Sequence, residues 1–277
     1  MNTNGNVYTV VYTTVVVALV AAILAFASQV LAPKQDENVK AETIGQMLAA
    51  AKFYEKSELE AMGNSKVLEE YVGSIQSSIL VNAEGQEIGS LDKEKSEIYT
   101  TGQLKAQNKL IKDGKTDNLA LPVFIFSKDG QEVTVIPCYG AGLWGPIWGY
   151  LAISDDLTIV GAYFDHESET PGLGAKIKDD PSFRQQFEGK KIDFEAVNKS
   201  GEATPFEVVK GGAPEGQMNA VDAITGASIT SKALGVSIAT WLNAYKPYLT
   251  SAKTAVQTIE VSETPAEQAD TTAVAAE

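Results

Sequence analysis

A single cysteine, Cys138, in 277 residues leaves nothing for an internal disulfide and no thiolate set for a zinc or iron–sulfur site. A single histidine, His166, excludes a histidine-cluster metal centre. Basic charge is also short. Lys and Arg number 22 against 36 Asp and Glu, a net charge of −14 at pH 7. There is no basic block, so the chain lacks the cation cluster that holds a phosphate backbone, and nucleic acid is not an expected partner. The most informative absence is local. Residues 1–33 contain no Asp, Glu, Lys or Arg, so every charged residue follows Pro33.

What fills that uncharged stretch is apolar. Residues 7–32 read VYTVVYTTVVVALVAAILAFASQVLA, 26 residues rich in Val, Ala, Leu and Ile. A helix of ~20 such residues crosses a bilayer core. We read residues 7–32 as a single transmembrane anchor, with Tyr8 and Tyr12 toward one interface. A cleaved signal peptide is the competing reading, and Ala25-Phe26-Ala27 has the small-residue pattern of a cleavage site. It lacks a basic n-region, and the apolar run exceeds the ~7–15 residues of a signal core. Lys34 and Lys40 lie on the C-terminal flank and no cation lies on the other. Taken literally, that asymmetry puts the rest of the chain in the cytoplasm.

After the anchor, residues 33–250 read as one α+β domain, because strands and helices mix without a regular βαβ rhythm. Residues 34–53 place Ile44, Met47, Leu48 and Ala51 at helical spacing. Residues 57–77 suggest a shorter helical stretch. Ile79 to Val81, a turn at 82–85, and Glu87-Ile88 form a hairpin. The Lys-rich stretch 90–118 reads as loops or an insertion. Strand-like runs follow at 121–126, 133–137, 147–153 and 158–164. Asp180-Pro181 caps a short helix around 183–187, and 206–209 is a further strand. A helix over 228–245 carries the stripe Leu234, Ile238, Trp241, Leu242 and Tyr245, and Lys246-Pro247 ends it. Residues 251–277 hold no aromatic, five acids and one Lys, and read as a disordered acidic tail.

Three segments could carry chemistry. In 140–146, Gly-Ala-Gly-Leu-Trp-Gly-Pro, glycines would let backbone approach a flat ligand beside an indole; an ordinary turn before a strand has the same composition. In 166–176, His-Glu-Ser-Glu-Thr-Pro-Gly-Leu-Gly-Ala-Lys, a strand-end loop gathers the only histidine, two carboxylates and a Pro-Gly turn. Such a loop can offer N–H groups to an anion, or simply be a solvated loop. In 222–232, Asp-Ala-Ile-Thr-Gly-Ala-Ser-Ile-Thr-Ser-Lys, small residues lead into a helix. Thr225 or Ser228 could cap that helix, or its first N–H groups could hold a phosphate, with Gly226 and Ala227 leaving room and Lys232 a turn further on. The spacing is not that of a P-loop.

Together these stretches, with the anchor and the segment ETIGQMLAAAKF at 42–53, resemble the C-subunit family of the sodium-translocating NADH:quinone reductases. Those proteins are bacterial membrane flavoproteins. The resemblance covers most of residues 5–250. It implies FMN esterified through its phosphate to the last hydroxyl residue of the Asp-x-x-Ser/Thr-Gly-Ala-Ser/Thr motif, here Ser228, where most relatives have Thr. It implies a flavin transferase that makes the bond and recognises Asp222 and Thr225. The ring is expected between Leu143-Trp144 and the loop from Glu169 through Thr170 to Leu173, with Lys176 offsetting phosphate charge. His166 could tune the flavin or move protons near neutral pH, but a structural hydrogen bond is its expected role; Thr230 is expected to point away, so that changing it matters little.

The resemblance further implies an electron relay within a sodium-pumping NADH:quinone oxidoreductase, alongside other subunits, since one uncharged anchor offers no ion path. It places the chain in a bacterial inner membrane with the domain facing the periplasm, against the two-lysine flank count. Two alternatives stay open. One is the flavin-bearing G component of an Rnf-type electron-transport complex, which shares the flavin-attachment motif. The other is a membrane-anchored binding or scaffold domain without flavin.

Overall fold

The computed structural model describes residues 5–198 and 201–262, the last eleven as backbone alone. Helix α1 runs from Asn6 to Ala50 without a break. The sequence separates an anchor from a following helix at Pro33, yet here both are one helix with Pro33 inside it. A proline costs a helix one N–H bond, and the apolar turns before it and the packed turns after it carry the helix through. At ~1.5 Å per residue, α1 is about 68 Å long. Its most apolar 18-residue window is wholly unburied, and by length and composition it can cross a membrane. Its last turns instead bury Ile44, Met47, Leu48 and Ala50 completely.

The rest is a six-stranded antiparallel sheet with helices on both faces. The strands are β1 (Ile75–Val81), β2 (Glu87–Ser90), β3 (Leu121–Lys128), β4 (Gln131–Ala141), β5 (Pro146–Ile153) and β6 (Ile159–His166), in the order β2-β1-β3-β4-β5-β6. The expected hairpin at 79–88 and the four later strands are all present. Period-two alternation divides each strand between two cores. On one face Phe124, Phe126, Val135 and Tyr163 pack against the end of α1 and against helices α2 (Lys56–Met62) and α3 (Asn64–Ser74). On the other, Val123, Ile136, Cys138 and Phe164 pack against helix α7 (Ser228–Ser262).

Helix α4 (Thr101–Lys112) corrects the reading of 90–118 as loops. Its N-terminus has a capping box, Thr100 and Gln103 each accepting from the other's backbone N–H. Its buried side is narrow, with Leu104 and Asn108 inside, so the apolar period is too sparse to announce the helix. Short helices α5 (Lys176–Asp179) and α6 (Pro181–Gln185) follow β6, and the Asp180 carboxylate accepts the Ser182 N–H as expected. Strands β7 (Glu207–Val209) and β8 (Ala220–Asp222) form a small parallel pair.

All five stripe residues of α7, from Leu234 to Tyr245, are completely buried. The Trp241 indole N–H donates to the Tyr139 carbonyl at 2.9 Å, and the Tyr245 hydroxyl to the Pro122 carbonyl at 2.6 Å. Those buried donors are therefore satisfied. Lys246-Pro247 does not end the helix, because Leu249 is again buried on the core one turn later. The helix continues to Ser262, into the stretch expected as tail; residues 263–277 lie outside the described residues.

Cys138 sits on β4 with 1% of its surface exposed, and burial pushes its thiol up to about 12. A thiol so protonated and enclosed is a poor nucleophile. We expect no labelling by iodoacetamide at pH 8 in the folded chain and one label per chain in denaturing urea, read by mass spectrometry.

Candidate functional site

Strands β4, β5 and β6 end together at one edge, and there the three segments singled out in the sequence meet. Between β4 and β5 the chain turns tightly, with the Gly142 N–H donating to the Gly145 carbonyl at 2.7 Å. After β6 the loop 167–175 folds on itself through the Thr170 carbonyl, which accepts from the amides of Leu173 and Ala175 at 3.1 Å each. Gly172 in that loop has φ +74°, which the Pro171-Gly172 pair supplies without strain. The third wall is the start of α7.

These walls enclose a cavity of about 290 Å³ lined by Leu143, then Glu169, Thr170, Leu173 and Gly174, then Gly226, Ala227, Ser228, Ile229 and Thr230. Seven of the sequence-predicted residues are brought together here: Leu143, Glu169, Thr170, Leu173, Gly226, Ala227 and Ser228. Trp144 stands at the rim, 67% exposed. Lys176 begins α5 and is not among the lining residues. Asp222 ends β8 and spends its carboxylate on the Ala213 N–H at 2.7 Å. Lys232 lines a larger groove on the other side of α7, which Ser228 also borders.

The start of α7 has no acceptor side chain at its cap. Ala227 occupies that position, and its carbonyl accepts the Ser231 N–H. Neither Thr225 nor Ser228 caps the helix; instead the Ser231 hydroxyl reaches back to the Ile224 N–H at 3.0 Å. Among the described residues, the N–H groups of Ser228, Ile229 and Thr230 have no protein partner. Three free donors at the positive end of a long helix, beside a hydroxyl and a cavity, suit an anion. Gly226, at φ +84°, makes the turn into the helix, and a Cβ there would stand 3.0 Å from the Leu173 side chain.

Glu169 has partners that no local pattern announces. It is 5% exposed, and both of its carboxylate oxygens accept hydrogen bonds from protein donors. Oε1 accepts the amides of Leu143 at 2.6 Å and Trp144 at 3.0 Å, and Oε2 accepts the Thr230 hydroxyl at 2.7 Å. One buried carboxylate thus ties all three walls together. Thr230 corrects its expectation: its side chain is buried and engaged, not pointing away. His166 makes a structural bond as expected, its Nδ1 accepting the Glu169 N–H at 3.1 Å. The sequence separation of 61 residues between Glu169 and Thr230 hides their pairing.

Chemically this is a binding cavity. Glu169 is its only titratable lining residue, and its oxygens are occupied. Among the described residues, the Ser228 hydroxyl has no hydrogen bond to a side chain that could serve as its general base. Among the described residues no cluster of His, Cys, Asp or Glu could hold a metal. Around the mouth Leu143, Trp144, Leu173 and Ile229 are 44–67% exposed, an apolar rim that a flat ring would cover.

The FMN-binding domain family matches residues 142–243, which span all three walls. The C subunit of the Na(+)-translocating NADH-quinone reductase of Parabacteroides distasonis, a crystal structure, is 35% identical with a TM-score of 0.60. The match covers 79% of this chain and 97% of that one. The NqrC structure of Shewanella oneidensis is 25% identical with a TM-score of 0.58, over 78% and 99% of the two chains. The C subunit of the Na(+)-translocating NADH-quinone reductase of Vibrio parahaemolyticus is 30% identical over 172 residues, 60% of this chain and 64% of that relative. The aligned region is thus a little under two thirds of that relative's length.

Proposed function

We propose that this chain, which belongs to the C-subunit family of the Na(+)-translocating NADH-quinone reductases, is a membrane-anchored flavoprotein subunit with FMN bound covalently through Ser228. The observation that carries the reading is the start of α7: three unpartnered N–H groups and the Ser228 hydroxyl at a cavity rimmed by exposed apolar side chains. The residues fit the group. The N–H groups of Ser228, Ile229 and Thr230 would hold the phosphate, Ser228 Oγ would carry the ester, and Leu143, Trp144 and Leu173 would flank the ring. When bound, FMN supplies one- and two-electron redox chemistry. The protein's share is placement. Glu169 keeps the three walls at fixed spacing, Gly226 keeps the turn into α7 open to Leu173, and the apolar rim keeps water from one side of the site.

The chain then acts as an electron carrier inside a sodium-translocating NADH:quinone oxidoreductase. It works with the other subunits, after a flavin transferase has recognised the stretch around Asp222 and Thr225. The membrane helix is too short of charge to conduct an ion alone. The test is colour: the full chain, coexpressed with a flavin transferase and run on a denaturing gel, gives a band with flavin fluorescence. A dark band would instead favour a scaffold domain without flavin.

The domain after α1's apolar turns faces the periplasm in this reading. A reporter active only in the periplasm, fused after Glu277, is expected to be active, and a cytoplasm-only reporter silent. The opposite pair of results would place the domain on the cytoplasmic side, as the Lys34 and Lys40 flank would have it.

A further inference from the structure

Behind the cavity a second set of buried polar groups leads away from it, through the sheet, to α1. Asp165 is 2% exposed and points to the α1 face of β6. Its Oδ2 accepts the Gln46 side-chain amide at 2.7 Å and the Lys178 ammonium at 2.8 Å. Its Oδ1 accepts the backbone N–H of His166 at 2.7 Å. Gln46, on α1 and 6% exposed, also accepts the Trp148 indole N–H at 3.3 Å. Trp148 is the cross-strand partner of Asp165. The His166 side chain emerges on the opposite face and accepts the Glu169 N–H, and Glu169 holds the amides of Leu143 and Trp144.

We propose that Gln46, Asp165 and His166 are positioning residues that tie the Leu143–Trp144 lip of the cavity to helix α1, so that the lip is set from the membrane side. The lip has little of its own to fix it. Its turn contains one internal backbone bond, the Trp144 carbonyl accepts the Ser168 hydroxyl at 3.1 Å, and the amides of its two outermost residues end on Glu169 alone. Glu169 is held by the His166 ring as well as by Thr230, and His166 closes β6 opposite Ile147 with its N–H bonded to Asp165 Oδ1. A buried carboxylate is tolerated only with its donors in place, so Asp165 in turn keeps to Gln46. Gln46 lies four residues before the end of α1, whose other end is the membrane-crossing segment, and the helix is unbroken between the two, through Pro33. The consequence for function rests on the FMN reading, since the lip is then one flank of the ring.

The experiment needs no flavin, so failure to load FMN would leave it intact. Amide hydrogen exchange is measured on the full chain in detergent. In His166→Leu, exchange at Leu143 and Trp144 is expected to rise about tenfold, because their acceptor loses its own anchor. His166→Asn, whose side-chain oxygen can accept the Glu169 N–H, is expected to restore most of the protection. Gln46→Leu, at the far end of the relay, is expected to raise the same two rates about threefold. The amides of β3 and β4 should not change in any of the three. Unchanged rates at Leu143 and Trp144 in His166→Leu or Gln46→Leu would overturn the proposal. So would acceleration spread equally over β3 and β4, which would mean global loosening.

Discussion

Ser228→Ala is expected to abolish the covalent flavin completely, and Ser228→Thr to keep it. Three hydroxyls compete for the phosphate: Thr225, Ser228 and Thr230. Thr230 is excluded as the ester oxygen by its burial and by its bond to Glu169 at 2.7 Å. Thr225 is exposed but lies before Gly226, outside the helix, where no row of free N–H groups faces it. Ser228 alone is half-buried on the cavity wall and is the first residue of α7, beside the three unpartnered amides. A phosphate there gains those donors and the helix dipole together. Threonine at 228 keeps the oxygen and adds one methyl at a half-buried position next to open cavity, so it is tolerated. Thr225→Ala is expected to give a weaker band, by impairing recognition during maturation, with the modified peptide still mapping to Ser228. The readout is in-gel flavin fluorescence under denaturing conditions, with peptide mass spectrometry. A fluorescent band in Ser228→Ala, or a flavin-bearing peptide at Thr225 or Thr230, would overturn the assignment.

The elements legible in the sequence are those whose signal is local and periodic. Leu234 to Tyr245 recur at helical spacing and are all buried; 147–153 and 158–164 alternate or run apolar and are strands. The site segments are recognisable because their small residues are consecutive in sequence. The features that escape such a reading have a different physical origin. Helix α4 buries too few residues for its period to show, although its Thr100–Gln103 capping pair is a usable cue. Pro33 and Pro247 read as boundaries because proline removes a helix bond, and packing or apolar continuity beyond them decides otherwise. The Glu169 clamp and the Asp165 relay join residues up to 119 positions apart. No spacing rule announces them, because a lone Glu in a strand-end loop and a lone Gln in a helix look the same whether they face solvent or each other.

Gly174→Ala is expected to destabilise the domain by about 1.5–3 kcal/mol, and most of that cost should disappear when Glu169 is absent. A Cβ on Gly174 would stand 2.3 Å from Glu169 Oε2 and 2.8 Å from Thr230 Oγ1, so it would drive apart the hydrogen bond that joins the loop to α7. Gly174 does not have a positive φ, so the penalty is steric contact with that bond and not backbone strain. Loss of a buried, charge-assisted hydrogen bond costs ~1.5–3 kcal/mol. At about 2–4 °C per kcal/mol for a domain of this size, the midpoint of thermal unfolding should fall by about 3–12 °C. Glu169→Ala leaves the Leu143 and Trp144 amides and the Thr230 hydroxyl without their acceptor, and is expected to cost about 3 kcal/mol or more. In that background the carboxylate is gone and Thr230 Oγ1 is free to rotate, and the Cβ of residue 169, at 3.2 Å, is the one close contact left. Gly174→Ala should then cost less than about 0.5 kcal/mol, a coupling of the size seen for groups in direct contact. Glu169→Gln provides the intermediate point. Its amide oxygen can still accept the two lip amides and its NH₂ can donate to the Thr230 hydroxyl, so it should lose less than Glu169→Ala. The measurement is urea unfolding of the four members of the cycle, read by tryptophan fluorescence. Additive costs would mean that Gly174 is required for some contact other than the Glu169–Thr230 bond.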